Sequence, residues 1–194
     1  KTWVGLRNIE VWKGGLLLGV IVWGGFILQM LGLTEVTPAV SAFLTSLYVV
    51  FTALIGVFTG MQKLTRFAIV GVILATFGAG WISGPPQLNF GLGEWLTVAC
   101  ALLFGAHIIA TDKVTKIVDP IQVTATMLIT VAVLSIIVFL LSSRQHFNDF
   151  TILMKNFDFV FPLLLCAILG SLVALLVLNI FQKQVSPVRA AILY

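Results

Sequence analysis

The side chains best suited to contact with a polar ligand lie together on one apolar stretch. Thr37, Ser41, Thr45, Tyr48 and Thr52 follow one another at steps of four, four, three and four residues, which places them on one face of a helix. In hydrocarbon, such a face can replace the hydrogen bonds that a ligand loses when it leaves water. The alternative is that each Ser or Thr hydroxyl bonds back to a carbonyl of the preceding turn.

Three further polar side chains stand within apolar stretches. His107 changes charge near neutral pH, so it either binds a ligand or carries a proton, or else it is a neutral histidine hydrogen-bonded inside the protein. Gln29 and Asn179 occupy late positions in two similar helices, where an amide either lines a cavity or joins helices. The candidate cavity residues are therefore Gln29, Ser41, Thr45, Tyr48, Thr52, His107 and Asn179.

The sequence contains no motif for catalysis or for binding a metal. No H-E-x-x-H, G-x-S-x-G or P-loop pattern occurs. Cys100 and Cys166 stand apart in apolar stretches without paired Cys/His spacing, and free cysteine usually packs as a small hydrophobe. We therefore predict no catalytic residue, no metal site and no cofactor, and an enzyme is not favoured.

The composition indicates a protein that lies in a lipid bilayer. Hydrophobic residues make up 60% of the chain and charged residues only 9%, whereas a soluble domain carries roughly 25% charged residues. The net charge of +4 comes from Lys and Arg in short segments between apolar runs. That placement is typical of topology control and argues against nucleic acid as a partner.

Six apolar stretches approach the length of about 20 residues that a helix needs to cross the hydrocarbon core. Each is uninterrupted and does not alternate, which favours helix over strand. The predicted fold class is an all-α integral membrane protein, a polytopic helix bundle with Ser142–Asp158 as its longest loop. The spans are Gly14–Leu33, Pro38–Gly60, Phe67–Ser83, Leu92–Ala110, Ile121–Leu141 and Phe159–Ile180, and a seventh begins at Pro187.

The basic residues orient these spans. When the segment before Gly14 is cytoplasmic and the sides alternate, nine of the eleven Lys and Arg residues are cytoplasmic, and only Arg144 and Lys155 lie outside. A bias of this size follows the positive-inside rule. The cytoplasmic set is Lys1, Arg7, Lys13, Lys63, Arg66, Lys113, Lys116, Lys183 and Arg189.

An internal repeat accompanies this topology. Residues 36–44, VTPAVSAFL, match residues 185–193, VSPVRAAIL. The helix at Pro187 is five spans beyond the helix at Pro38, so we expect the two copies to point in opposite directions across the membrane. Inverted-topology repeats are typical of alternating-access carriers.

Several segments resemble one transporter family. Residues 32–51, GLTEVTPAVSAFLTSLYVVF, are similar to the junction of the third and fourth helices in EamA-type transporters of the drug/metabolite transporter (DMT) superfamily. The turn KLTR at 63–66 with Gly71 and Gly78, the segment FGAHII at 104–109 with Asp119-Pro120, and residues 185–194 resemble later parts of that fold. Their order and spacing cover nearly the whole chain.

The resemblance implies ten helices in two inverted halves. Residues 1–86 would hold the end of the first EamA repeat, helices three to five, and residues 87–194 a truncated second repeat, helices six to eight and the start of nine. Because the chain begins with Lys1 and Tyr194 stands inside an apolar run, we expect a fragment. Met61-Gln62 replaces a frequent Gly-Glu pair, and Val49 a frequent proline.

The function that the resemblance implies is secondary transport by alternating access. The cargo would be small metabolites such as amino acids or related compounds, moved outward through a bacterial-type inner (plasma) membrane by a multi-pass protein. The expected partners are the lipid bilayer and a small-molecule substrate. A homodimer is compatible with the sequence, which fixes no oligomeric state. The alternative is a membrane channel or a structural membrane scaffold without carrier activity.

Reporter fusions test the predicted topology. A fusion after Thr37 should report the outer side, and a fusion after Ser186 the cytoplasmic side, because five spans separate the two junctions. Alkaline phosphatase is active only outside and green fluorescent protein fluoresces only inside, so the pair gives opposite readings at each site. If both fusions report the same side of the membrane, the two repeat copies are not inverted.

Overall fold

The computed structural model describes residues 8–61, 91–141 and 144–193, with positions 69–71, 73, 74 and 77 in between. Most of the predicted span Phe67–Ser83, the turn at residues 63–66 and Gly78 lie outside the described residues. Within the described residues the chain is almost entirely helical and has no strand. Five helical segments there are long and apolar enough to cross a membrane, which confirms an all-α polytopic membrane bundle.

The long spans are Ile9–Gly32, Pro38–Phe58, Leu92–Val114, Pro120–Leu141 and Phe157–Phe181. They are built from α1 (Ile9–Gly32), α2 (Pro38–Ser46), α3 (Tyr48–Phe58), α4 (Leu92–Val114), α5 (Pro120–Leu141), α7 (Phe157–Leu165) and α8 (Ala174–Phe181). A π-helical segment, Cys166–Val173, joins α7 to α8. The remaining elements are α6 (Arg144–Leu153), a 3₁₀ turn at Gln182–Gln184 and α9 (Pro187–Leu193).

Local side-chain chemistry sets where the helices begin and end. The Asn8 side chain accepts a hydrogen bond from the Glu10 amide at 3.0 Å, so α1 begins a full turn before the predicted Gly14. The α3 helix ends in a Schellman motif: Gly60 adopts φ +67°, and the Met61 amide donates to the Gly56 carbonyl at 3.0 Å. Gly60 therefore terminates a helix, and a Cβ added there would meet no atom of the described residues within 4 Å.

The first helix is the centre of the packing. Its start lies beside the end of α4, since a Cβ added at Gly14 would meet Val114 at 2.7 Å, and its end lies beside the start of α4, since one added at Gly32 would meet the Gly93 carbonyl at 3.0 Å. The two helices are therefore antiparallel. The α1 helix also runs along α5, where the Thr126 hydroxyl donates to the Val11 carbonyl at 3.2 Å.

Glycine allows α1 and α5 to approach closely. A Cβ added at Gly15 would lie 2.9 Å from the Met127 amide nitrogen, and one added at Gly19 would lie 2.6 Å from Thr130 Cβ and 2.9 Å from the Met127 carbonyl oxygen. The two distances to Met127 involve backbone atoms, which cannot move aside as a flexible side chain can. This small-xxx-small contact is typical of helix pairs in membranes.

Two more helices complete the described bundle around α4. The α3 helix crosses it at Gly105, where an added Cβ would meet the Thr52 amide nitrogen at 2.9 Å. The α9 helix joins the same region through a small apolar cluster of Val49, Ile108 and Ala191. The outer faces of the bundle remain apolar, as the exposed side chains of Leu16, Ile136 and Leu140 illustrate.

The segment Ser142–Asp158 is not the continuous loop that its polarity predicted. It contains α6, whose Phe150 ring packs edge-on against Phe139 of α5 with centroids 5.1 Å apart. The prediction was wrong because a short exposed helix tolerates polar residues as well as a loop does. The contact between Phe139 and Phe150 joins α6 to the neighbouring span α5.

The substitution Gly19→Ala tests the contact between α1 and α5. We expect it to lower the stability of the protein in detergent by about 1–3 kcal/mol, because the new methyl group overpacks a backbone contact. Thermal unfolding measures the change. The control is Gly170→Ala, since no atom of the described residues lies within 4 Å of its added Cβ, and alanine there should be neutral or stabilising by up to about 1 kcal/mol. Equal melting temperatures for both variants would contradict this packing.

Candidate functional site

One group of candidate residues joins three helices. Gln29, late in α1, donates through Nε2 to the Thr45 hydroxyl of α2 at 3.2 Å, and the Cys100 thiol of α4 also hydrogen-bonds the Thr45 side chain. Ser41 lies one turn before Thr45 and is buried, and its hydroxyl has no hydrogen-bond partner among the described residues. The group therefore contains both a structural hydrogen bond and an unused polar atom.

A second group lies where α3 crosses α4. Thr52 is fully buried and donates to the Tyr48 carbonyl at 2.7 Å, so its hydroxyl is engaged by its own helix. The Tyr48 side chain is half-buried and packs against the cluster that includes Val49 and Ile108. The backbone at Tyr48 and Thr52 is held close to α4 because Gly105 has no side chain.

The buried His107 connects α4 to α5. Its Nε2 lies 3.5 Å from the Met127 sulfur, and Met127 belongs to the main core cluster with Leu18 and Val123. Phe104, one turn earlier on α4, packs edge-on against Phe26 of α1 with centroids 5.6 Å apart. His107 is therefore buried where α4 meets α5, beside the Met127 thioether.

The last candidate, Asn179, lies at the far end of α8. It is fully buried, and its Nδ2 donates to the Thr124 hydroxyl at 2.7 Å, while its Oδ1 has no partner among the described residues. Thr124 lies in the second turn of α5, whereas Gln29 lies beside the first turns of α4. Asn179 and the Gln29–Thr45 pair are therefore at opposite ends of the bundle.

Gln182 is a buried polar residue that sequence reasoning missed. It is fully buried, and neither Nε2 nor Oε1 of its side chain has a partner among the described residues. The apolar run before it ends at Ile180, so Gln182 was assigned to a connecting segment. Its spacing of three from Asn179 puts both amides on one helical face, which is the pattern that could have found it.

No metal site accompanies these groups. Within the described residues, no three His, Cys, Asp or Glu side chains lie together in a way that would hold an ion. The ion pairs in the described part are Lys13 with Glu10 at 2.8 Å and Lys116 with Asp112 at 2.7 Å. Both pairs lie at the end of the bundle where α1 begins and α4 finishes, so the neutral polar side chains carry the candidate chemistry.

A helix bundle with five apolar spans and neutral polar groups buried between them is that of an integral membrane protein. The chain is 28% identical over 181 residues to a protein of Archaeoglobus fulgidus named an uncharacterized transporter. The matched region is 93% of this chain and 56% of that protein, so the chain spans about half the length of this relative. No family model matches the chain, and no solved structure matches it.

A double-mutant cycle tests the contact between Gln29 and Thr45. The changes Gln29→Leu and Thr45→Val should show a coupling of about 0.5–1 kcal/mol in detergent unfolding, the size of a hydrogen bond between membrane helices. The control cycle combines Gln29→Leu with Thr59→Val, whose hydroxyl donates to the Ile55 carbonyl at the far end of the span. The control cycle should show no coupling, because its two residues are far apart. Coupling in the control cycle and none between Gln29 and Thr45 would show that the helices are arranged differently.

Proposed function

We propose that this chain is part of a secondary transporter of the EamA type, in the DMT superfamily, that exports small metabolites such as amino acids or related compounds across the plasma membrane. The observation that carries the proposal is its similarity to a protein named as a transporter over 93% of the chain. The narrower EamA assignment rests on the resemblance of residues 32–51 and 104–109.

The ends of two helices support an inverted arrangement. The α1 helix finishes beside the start of α4, as the approach of Gly32 to Gly93 indicates. The α8 helix finishes beside the start of α5, through the bond from Asn179 to Thr124. The two repeat segments that follow α1 and α8 therefore start from opposite ends of the bundle.

The polar groups are arranged in a way that suits a transport pathway. A polar solute in the membrane interior needs hydrogen-bonding partners, because hydrocarbon provides none. The bundle offers Ser41 and Thr45 near one end, Tyr48 and His107 in the middle, and Asn179 at the other end. An alternating-access carrier opens such a pathway from one side at a time, by moving one half of the protein against the other.

Solute flux through proteoliposomes that contain the intact protein tests the proposal. A carrier should give a saturable rate with radiolabelled amino acids and should accelerate labelled uptake when unlabelled solute is inside. A channel gives flux that rises linearly with concentration, and a scaffold gives none. Either result would exclude the carrier.

A matched pair of variants connects the flux to the polar groups. Thr45→Val should raise the KM for the transported solute about fivefold to tenfold, the effect of losing roughly one hydrogen bond. Thr59→Val, at an exposed hydroxyl, is the control and should leave KM unchanged. Equal KM values for both variants would show that Thr45 does not bind the transported solute.

A further inference from the structure

The end of α8 carries buried polar atoms that are not hydrogen-bonded within the described part of the chain. Among the described residues, the fully buried side chain of Gln182 has no partner at either amide atom, and Asn179 has none at Oδ1 after donating to Thr124. Buried amides nearly always have hydrogen-bond partners, because leaving them without any costs free energy. One amide without a partner and a second with a free acceptor on the adjacent turn are therefore available to hydrogen-bond a ligand.

The two amides face the same side of a continuous helical segment. The Gln182 amide N–H still donates to the Leu178 carbonyl, so the helix continues through the three residues between Asn179 and Gln182. The 3₁₀ turn that begins at Gln182 packs against α4. The final turns of α4 carry Thr111, which is fully buried and whose hydroxyl also has no partner among the described residues.

The polar atoms at this end are neutral. The described charges there are either paired, as in Asp112 with Lys116 at 2.7 Å, or exposed, as are Lys113 and Arg189. A ligand with a net charge would lose its hydration and gain only dipoles in return, which is unfavourable in an apolar interior. The available groups are two carbonyl acceptors, one NH₂ donor and one hydroxyl.

We propose that Gln182, Asn179 and Thr111 form a binding site for neutral compounds that present a hydrogen-bond donor beside an acceptor, as a carboxamide or a lactam does. A side-chain amide pairs with such an edge through two parallel hydrogen bonds, as it does with adenine. A carboxylate offers acceptors only, and an ammonium group donors only. As a substrate site, this rests on the proposed transporter function and narrows its cargo to uncharged compounds related to amino acids, because free amino acids carry both a carboxylate and an ammonium group.

Binding to the intact protein in detergent tests the site. The probes are nicotinamide and uracil, with nicotinate as a charged probe of nearly the same shape as nicotinamide. Nicotinamide or uracil should raise the melting temperature with a saturable dose response, and nicotinate should not. Gln182→Leu should raise the Kd of the neutral probe about tenfold or more. The matched control is Gln184→Leu, an exposed glutamine two residues away, which should leave Kd unchanged.

The stability of the unliganded variant separates binding from a structural role. Leucine fills nearly the same space and removes an unpaired amide, so Gln182→Leu should melt at the same temperature as the parent or higher. A clear fall in melting temperature would show that Gln182 holds the fold and would overturn the proposal. An equal loss of binding in Gln184→Leu would also overturn it.

The flux experiment distinguishes this inference from the proposed function. If neither neutral probe binds while amino acids show saturable flux, the proposed binding site is wrong and the proposed carrier function is supported. If the probes bind through Gln182 but every solute passes at a linear rate, the site is supported as a binding site and the carrier is wrong.

Discussion

The close approach of α1 to its neighbours is the contact on which the rest of the bundle depends. In a bilayer the hydrophobic effect does not drive helices together, so they associate through tight packing and a few hydrogen bonds. Gly15 and Gly19 allow the α1 backbone to reach the backbone of α5, and the Thr126 hydroxyl bridges the two at Val11. The α1 helix also lies against α4 along its whole length, and α2, α3 and α9 in turn pack on α4.

The buried hydroxyls and amides divide into two groups with different roles. Most described threonines in the spans donate to a carbonyl four residues earlier, as Thr52, Thr97 and Thr124 do. Their hydroxyls are therefore hydrogen-bonded within their own helix. The side chains of Gln29 and Asn179 instead reach a threonine on another helix. A polar side chain in a membrane span is therefore informative mainly when its partner belongs to a different helix or when it has no partner.

The spans were predictable because hydrocarbon requires long apolar helices, and five of the six predicted stretches coincide with described spans to within a few residues. Details set by short-range chemistry were not predictable from hydropathy. Asn8 extended α1 by capping it, and the positive φ of Gly60 ends α3 through local backbone geometry. The burial of Gln182 depends on the contact of the 3₁₀ turn with α4, so its spacing of three from Asn179 indicated a shared helical face but not that the face is buried.

The span Phe157–Phe181 differs from the others in how it is supported. Among the described residues, no side chain from Phe157 to Val173 is buried, and the span is held at its far end by Asn179 and Leu178. A helix of 25 residues is about 37 Å long, whereas the hydrocarbon layer is about 30 Å thick. Such a helix leans to keep its ends in the headgroup region. A thinner membrane favours a larger tilt of such a helix, and among the described residues the contacts that hold this span lie at its Asn179 end.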